Sequence, residues 1–196
     1  MAVNNVVLCA CVFLAFFAVC DAYGTGAPDT ACVTMHPGHM FNATAAVVPQ
    51  TSASPYSIVV EGDKYTPGST FSVQIVGPVF RGFLLQARRP GSTTPVGTFS
   101  NAPADTQTTE CTTADSSMTH ASPGQKQNIT LTWNAPSTGV GNVQFVATVA
   151  EMKVKYWMDV TSAQVAQGTT SGASFAKPTF YLIMALCLLQ AALFLK

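Results

Sequence analysis

The strongest constraint on this chain is a period of two. In Ile129-Thr130-Leu131-Thr132-Trp133 the apolar side chains share one parity, while Asn128, Thr130, Thr132 and Asn134 share the other. Successive residues of a strand point to opposite faces, so the run lays an apolar stripe on one side of a sheet and a solvated stripe on the other. The pattern recurs in Phe71, Val73 and Ile75, opposed by Ser72 and Gln74. It recurs again in Val143, Phe145, Ala147 and Val149, opposed by Gln144 and Thr148. Tyr56, Ile58 and Val60 form a further stripe, and Glu61-Gly62-Asp63-Lys64 reads as a tight connection between strands. More strands are expected at Cys32–His36, Phe80–Arg88, Val96–Phe99, Ser117–His120 and Lys155–Val160. A helix across Val143–Met158 is disfavoured, because the apolar spacing is two and β-branched residues are frequent. Eight or nine half-buried strands separated by Pro and Gly predict an all-β fold, a single two-sheet antiparallel sandwich.

Composition fits a solvated pleated surface. Between Tyr23 and Ser171 the chain holds 23 Thr and 13 Ser, and Thr favours strands. Charged residues make up only 9%, and nine Lys and Arg balance nine Asp and Glu. A nucleic-acid partner is therefore not expected, since such proteins carry a concentrated basic face. Disorder is excluded by the ample apolar content and absent net charge.

Both ends read as addresses. Val6–Val19 is fourteen residues without a charge, the length of a secretory signal core and short for a spanning helix. Cys20-Asp21-Ala22 places small residues where a signal peptidase reads, so residues 1–22 are expected to be removed, with cleavage after Cys20 as the competing choice. At the other end, Phe180–Leu195 is apolar except for Gln190, and only Lys196 follows. Ser171-Gly172-Ala173 supplies small residues ahead of a spacer, the pattern of a GPI-attachment signal. Ser171 is the expected attachment residue, with Gly172 and Ala173 as alternatives; a C-terminal spanning helix competes with this reading. The expected organisation is a leader at 1–22, a sandwich domain at 23–162, a linker at 163–179 and an apolar tail at 180–196.

Trimming the ends simplifies the cysteines. Cys9, Cys11, Cys20 and Cys187 fall in the leader or tail, leaving Cys32 and Cys111. In an oxidising compartment these two most economically form one bridge, closing a loop of about 80 residues with up to about 4–5 kcal/mol of chain-entropy stabilisation. Asn42-Ala43-Thr44 and Asn128-Ile129-Thr130 are sequons, so Asn42 and Asn128 are candidate N-glycosylation sites.

The segment from Gly26 to His39, GAPDTACVTMHPGH, resembles the opening of the reeler domain, in which a cysteine is followed by a methionine and a Pro-x-His element. The likeness continues through Ser54-Pro55-Tyr56, Gly82–Arg88, Val96–Phe99, Cys111, Thr119-His120, Thr132–Pro136, Gly141-Asn142-Val143 and Tyr156-Trp157, spanning about residues 26–162. Small members are similar to insect-type defence proteins associated with microbial surfaces. The resemblance implies an Ig-like β-sandwich, a Cys32–Cys111 bridge and a role in innate immunity. Ferric-chelate reductases carry extra haem and membrane modules for which this chain is too short, so reductase activity is not implied.

Catalytic and metal chemistry find little support. His36 and His39 flank a Pro-Gly turn and His120 lies far away, so a structural turn is preferred to a metal site. No G-x-S-x-G element or spare thiol supplies a nucleophile, and the acidic residues are scattered. The chain is read as a non-enzyme without cofactor. For binding, two small basic groups stand out: Arg81, Arg88 and Arg89 around one strand, and Lys153 and Lys155 beside Tyr156-Trp157. Cations suit phosphate and aromatic faces suit sugars or acyl chains. The competing reading places Trp157 in the core and Tyr156 at an edge. The expected function is a secreted or GPI-tethered recognition protein of innate immunity. Its expected partners are microbial envelope glycolipid or polysaccharide, together with the membrane that holds its anchor. The alternative is an adhesion or matrix-type module binding a host protein.

Overall fold

A computed structural model describes residues 24–169; the leader, the apolar tail and the candidate attachment residues Ser171, Gly172 and Ala173 lie outside the described residues. The architecture is the expected β-sandwich. One sheet has four strands, in spatial order β1 (Ser57–Val60), β3 (Thr70–Val76), β8 (Ile129–Asn134) and β5 (Thr98–Ser100). The other has five, in order β10 (Lys155–Thr161), β9 (Gln144–Met152), β4 (Gly82–Arg88), β7 (Ser117–His120) and β6 (Thr106–Thr109). All pairings within these two sheets are antiparallel. The facing stripes form the core as the alternation requires. Phe71, Val73, Ile75, Leu131 and Trp133 from one sheet, and Phe83, Leu85, Phe145, Ala147 and Val149 from the other, are all at most 4% exposed. Phe145 stacks on Phe71 and meets Trp133 edge-on, so aromatic contacts bridge the two layers.

Two features depart from the sequence reading, and one takes an unexpected course. Cys32–His36 is not a strand: Ala31–Thr34 forms one helical turn, α1, closed by Met35 in the left-handed conformation with its N–H bonded to the Ala31 carbonyl. This turn sets Ala31 and Met35 on one side, where they pack with Leu84. The Glu61–Lys64 segment is a tight connection between strands, as expected, but does not make a hairpin. It delivers β2 (Lys64–Tyr65) to a parallel pairing with β11 (Ala166–Gln167). The ordered domain consequently runs past residue 162: Val165 is fully buried and bridges to Val143, so the start of the expected linker belongs to the fold.

The middle of the five-stranded sheet is buried on both faces. Along β4, Phe83, Leu85 and Ala87 point into the sandwich, and Leu84, Gln86 and Arg88 are buried on the opposite side. The cover is the N-terminal segment up to Gln50, which crosses the outer face of β4, β9 and β10. Polar bonds fasten it: Thr148 donates to the Met35 carbonyl at 2.7 Å, Thr119 accepts from the Ala27 N–H at 3.0 Å, and the Gln50 N–H reaches the Tyr156 carbonyl at 2.9 Å. The Cys32–Cys111 disulfide ties α1 to the loop between β6 and β7.

Candidate functional site

The N-terminal cover does not seat everywhere. Between it and the sheet lies a cavity of about 220 Å³. Its floor is the outer face of β4 and β9 around Gly82, Leu84, Thr148 and Ala150, and its far wall is Ala27, Ala31 and Met35. Gly82 contributes no side chain, so the floor is low there, with the His120 ring standing against it. The lining is overwhelmingly apolar, as small-molecule sites generally are, with a few polar groups at its edge.

Two of those edge groups are cations. Arg81 is exposed and donates one hydrogen bond to the Pro123 carbonyl at 3.2 Å; Lys153 sits half-buried in the turn between β9 and β10. Neither forms an ion pair among the described residues, where the one salt bridge joins Lys155 to Glu151 at 2.7 Å. Arg81 is held in place from behind by an unforeseen residue, Lys126. Its buried ammonium donates to the carbonyls of Arg81, Ser122 and Gly124, and burial lowers its pKa.

The histidines serve this wall. His36 Nδ1 accepts the Gly38 N–H at 3.1 Å, so its other nitrogen carries the proton and donates to the Tyr156 hydroxyl at 3.0 Å; that hydroxyl donates to the Val47 carbonyl at 2.9 Å. Both ring nitrogens of His36 are thereby occupied. His36 and His39 grip the Tyr156 ring edge-on, at 5.9 and 5.5 Å between centroids. His39 lines the cavity, and burial holds its pKa below 6.5, an effect reinforced by the charge of Lys153. Among the described residues no cluster of three or more His, Cys, Asp or Glu is arranged to hold a metal ion.

Residues 30–173 match the Reeler domain family, almost the whole described region and beyond. The chain belongs to the Reeler domain family. It is 32% identical over 148 residues to "Putative defense protein 3" of Antheraea mylitta, covering 76% of this chain and 88% of that protein. With "Putative defense protein" of Bombyx mori the identity is 34% over 169 residues, covering 81% and 94%. A further relative, "Putative ferric-chelate reductase 1" of Danio rerio, is 32% identical over 179 residues, but the match spans only 30% of that longer protein. Among solved structures, the Reelin-N domain of F-spondin superposes with a TM-score of 0.51 at 24% identity, covering 62% of this chain and 92% of that one. That likeness supports the fold of the Reeler domain and nothing finer.

Within this Reeler domain the sequence-selected basic residues separate. Arg81 from one group and Lys153 from the other meet at the cavity. Arg88 is corrected: it is only 7% exposed, and its guanidinium donates to Gln86 Oε1 and to the carbonyls of Cys32 and Val33. It clamps α1 to the sheet and faces no solvent ligand. Arg89 is exposed but lies beyond the cavity lining. Tyr156, a candidate ligand-binding residue, is corrected to a fully buried position under the N-terminal cover, where burial raises its pKa. Trp157 is 5% exposed and packs inward on Tyr56, with Lys155 5.4 Å from its ring. Neither aromatic offers a free face. Asn42 and Asn128 are both exposed, and the Asn42 carbonyl oxygen accepts from the Thr44 N–H and hydroxyl within its own sequon. The cavity itself escaped sequence reasoning. Its one signal was the spacing of Ala27, Ala31 and Met35, four residues apart each time.

Proposed function

We propose that this Reeler-domain protein is a non-catalytic, extracellular recognition protein of host defence that binds microbial envelope components. The observation that carries the reading is the apolar cavity edged by Arg81 and Lys153, two cations without carboxylate partners among the described residues. Envelope glycolipids present anionic groups next to acyl chains, and this juxtaposition is complementary to both. The names of the insect relatives support the defence part of this reading. Export fits the disulfide, which belongs to an oxidising compartment, and the exposed sequons at Asn42 and Asn128 are open to glycan transfer. Attachment at Ser171 would hold the domain at the outer membrane face.

The test is co-sedimentation of the purified full chain with washed bacterial cells. The wild type is expected to pellet with the cells, and Arg81→Ser combined with Lys153→Ser to reduce the bound fraction about tenfold. Equal pelleting of the double variant would reject the cavity edge as the binding surface. No pelleting of either protein would reject microbial recognition altogether.

A further inference from the structure

We infer that the cavity takes the acyl chain of a single-chain anionic amphiphile, with the phosphate or carboxylate head held at the edge between Arg81 and Lys153. The inference rests on the binding site proposed above but fixes the chemistry of the ligand. Shape argues first. The cavity is walled by Ala31 and Met35 and floored by Leu84, Thr148 and Ala150, so its lining suits a slender apolar group. Size argues next: a cavity of about 150 Å³ accepts benzene, and 220 Å³ has room for one chain segment of about eight to ten carbons, but not for two chains. Near the floor Thr148 Oγ1 donates to the Met35 carbonyl and Thr119 Oγ1 to the Phe83 carbonyl, which leaves the His39 Nδ1 on the wall as the buried lining atom without a hydrogen-bond partner, a single ring nitrogen where a sugar would present several hydroxyls. Charge argues last. Arg81 keeps donors to spare beyond its single bond to Pro123, and a guanidinium binds phosphate or carboxylate in a fork. Met152 lines the same edge and is 44% exposed, giving the emerging part of the chain an apolar lip.

The experiment is titration of the full chain with alkyl phosphates of six to fourteen carbons, below their micelle concentrations, read by calorimetry. Affinity should rise about fourfold per methylene and level off once about ten carbons are buried. Decyltrimethylammonium should bind at least tenfold more weakly than decyl phosphate. Decanoate against decyl phosphate distinguishes a free fatty acid from a phospho-amphiphile as the natural source, and tight binding of either supports the site. Ala27→Phe and Ala150→Leu each narrow the cavity from opposite walls, and each should lower the affinity for decyl phosphate at least tenfold. An affinity independent of chain length, or unchanged in both narrowed variants, overturns the inference. Cell binding that survives in the narrowed variants sinks the acyl-chain site and leaves microbial recognition standing. Tight decyl phosphate binding without cell binding does the reverse.

Discussion

Arg88 shows how a residue's chemistry can be read correctly and its place misread. An arginine in a charge-poor chain draws attention as a ligand group, but here its strand is buried on both faces. Its guanidinium therefore turns inward to carbonyls, donating to Cys32 at 2.9 Å, Val33 at 3.2 Å and Gln86 Oε1 at 2.7 Å. Gln86 in turn donates to the same Cys32 carbonyl, so the pair forms one network under α1. Burial lowers the Arg88 pKa, with Asp159 partly opposing it. Truncation leaves those acceptors without their charged donor, and hydrogen bonds to charged groups are worth about 1.5–3 kcal/mol each. Arg88→Ala should cost about 3 kcal/mol in urea unfolding, whereas exposed Arg89→Ala should stay within about 0.5 kcal/mol. Equal effects of the two substitutions would mean that the Arg88 network contributes nothing net.

At the scale of elements, the inward stripes were legible because a half-buried strand must alternate, and Phe71, Val73, Ile75, Leu131 and Trp133 do so. The outer face was not. Gly82–Arg88 reads as an unbroken run because apolar and polar neighbours are both covered, a pattern that period two cannot resolve. The cover itself is mostly irregular chain, and its single helical turn at Ala31–Thr34 is too short to show a period. Such a segment has little stability of its own and depends on its fastenings. The largest is the Cys32–Cys111 bridge, with a loop separation of 79 residues. Replacing both cysteines by Ala should destabilise the domain by up to about 4–5 kcal/mol. Amide exchange should accelerate first in residues 24–50, ahead of β3, β8 and β9. Because Ala31 and Met35 form the cavity wall, decyl phosphate binding should fall under conditions where the sandwich is still folded. Uniform acceleration across cover and sheets would show that the two unfold as one unit.

For the whole molecule, low charge makes a few buried titratable groups decisive for its behaviour in acid. The chain carries nine basic and nine acidic residues, so no large net field develops near neutrality to obscure a local effect. His39 is the group to watch. Burial pulls its pKa below 6.5, the charges of Lys153, His120 and His36 act in the same direction, and the Lys153 backbone opposes them. Its Nδ1 is buried without a hydrogen-bond partner, and burial disfavours the charged ring in the folded state. In the unfolded chain the ring protonates near its ordinary value of 6.5. As the pH falls below that value the unfolded state binds more protons than the folded one, and linkage then lowers stability. Above 6.5 neither state is protonated at His39 and the contribution is fully present. Once the pH passes below the folded value, both states are protonated and the loss is complete. Thermal unfolding from pH 7.5 to pH 5 should therefore show a falling midpoint, and His39→Phe, which keeps a flat ring against Tyr156, should flatten that decline. An equally steep decline in the variant would assign the acid sensitivity to groups outside the cavity wall.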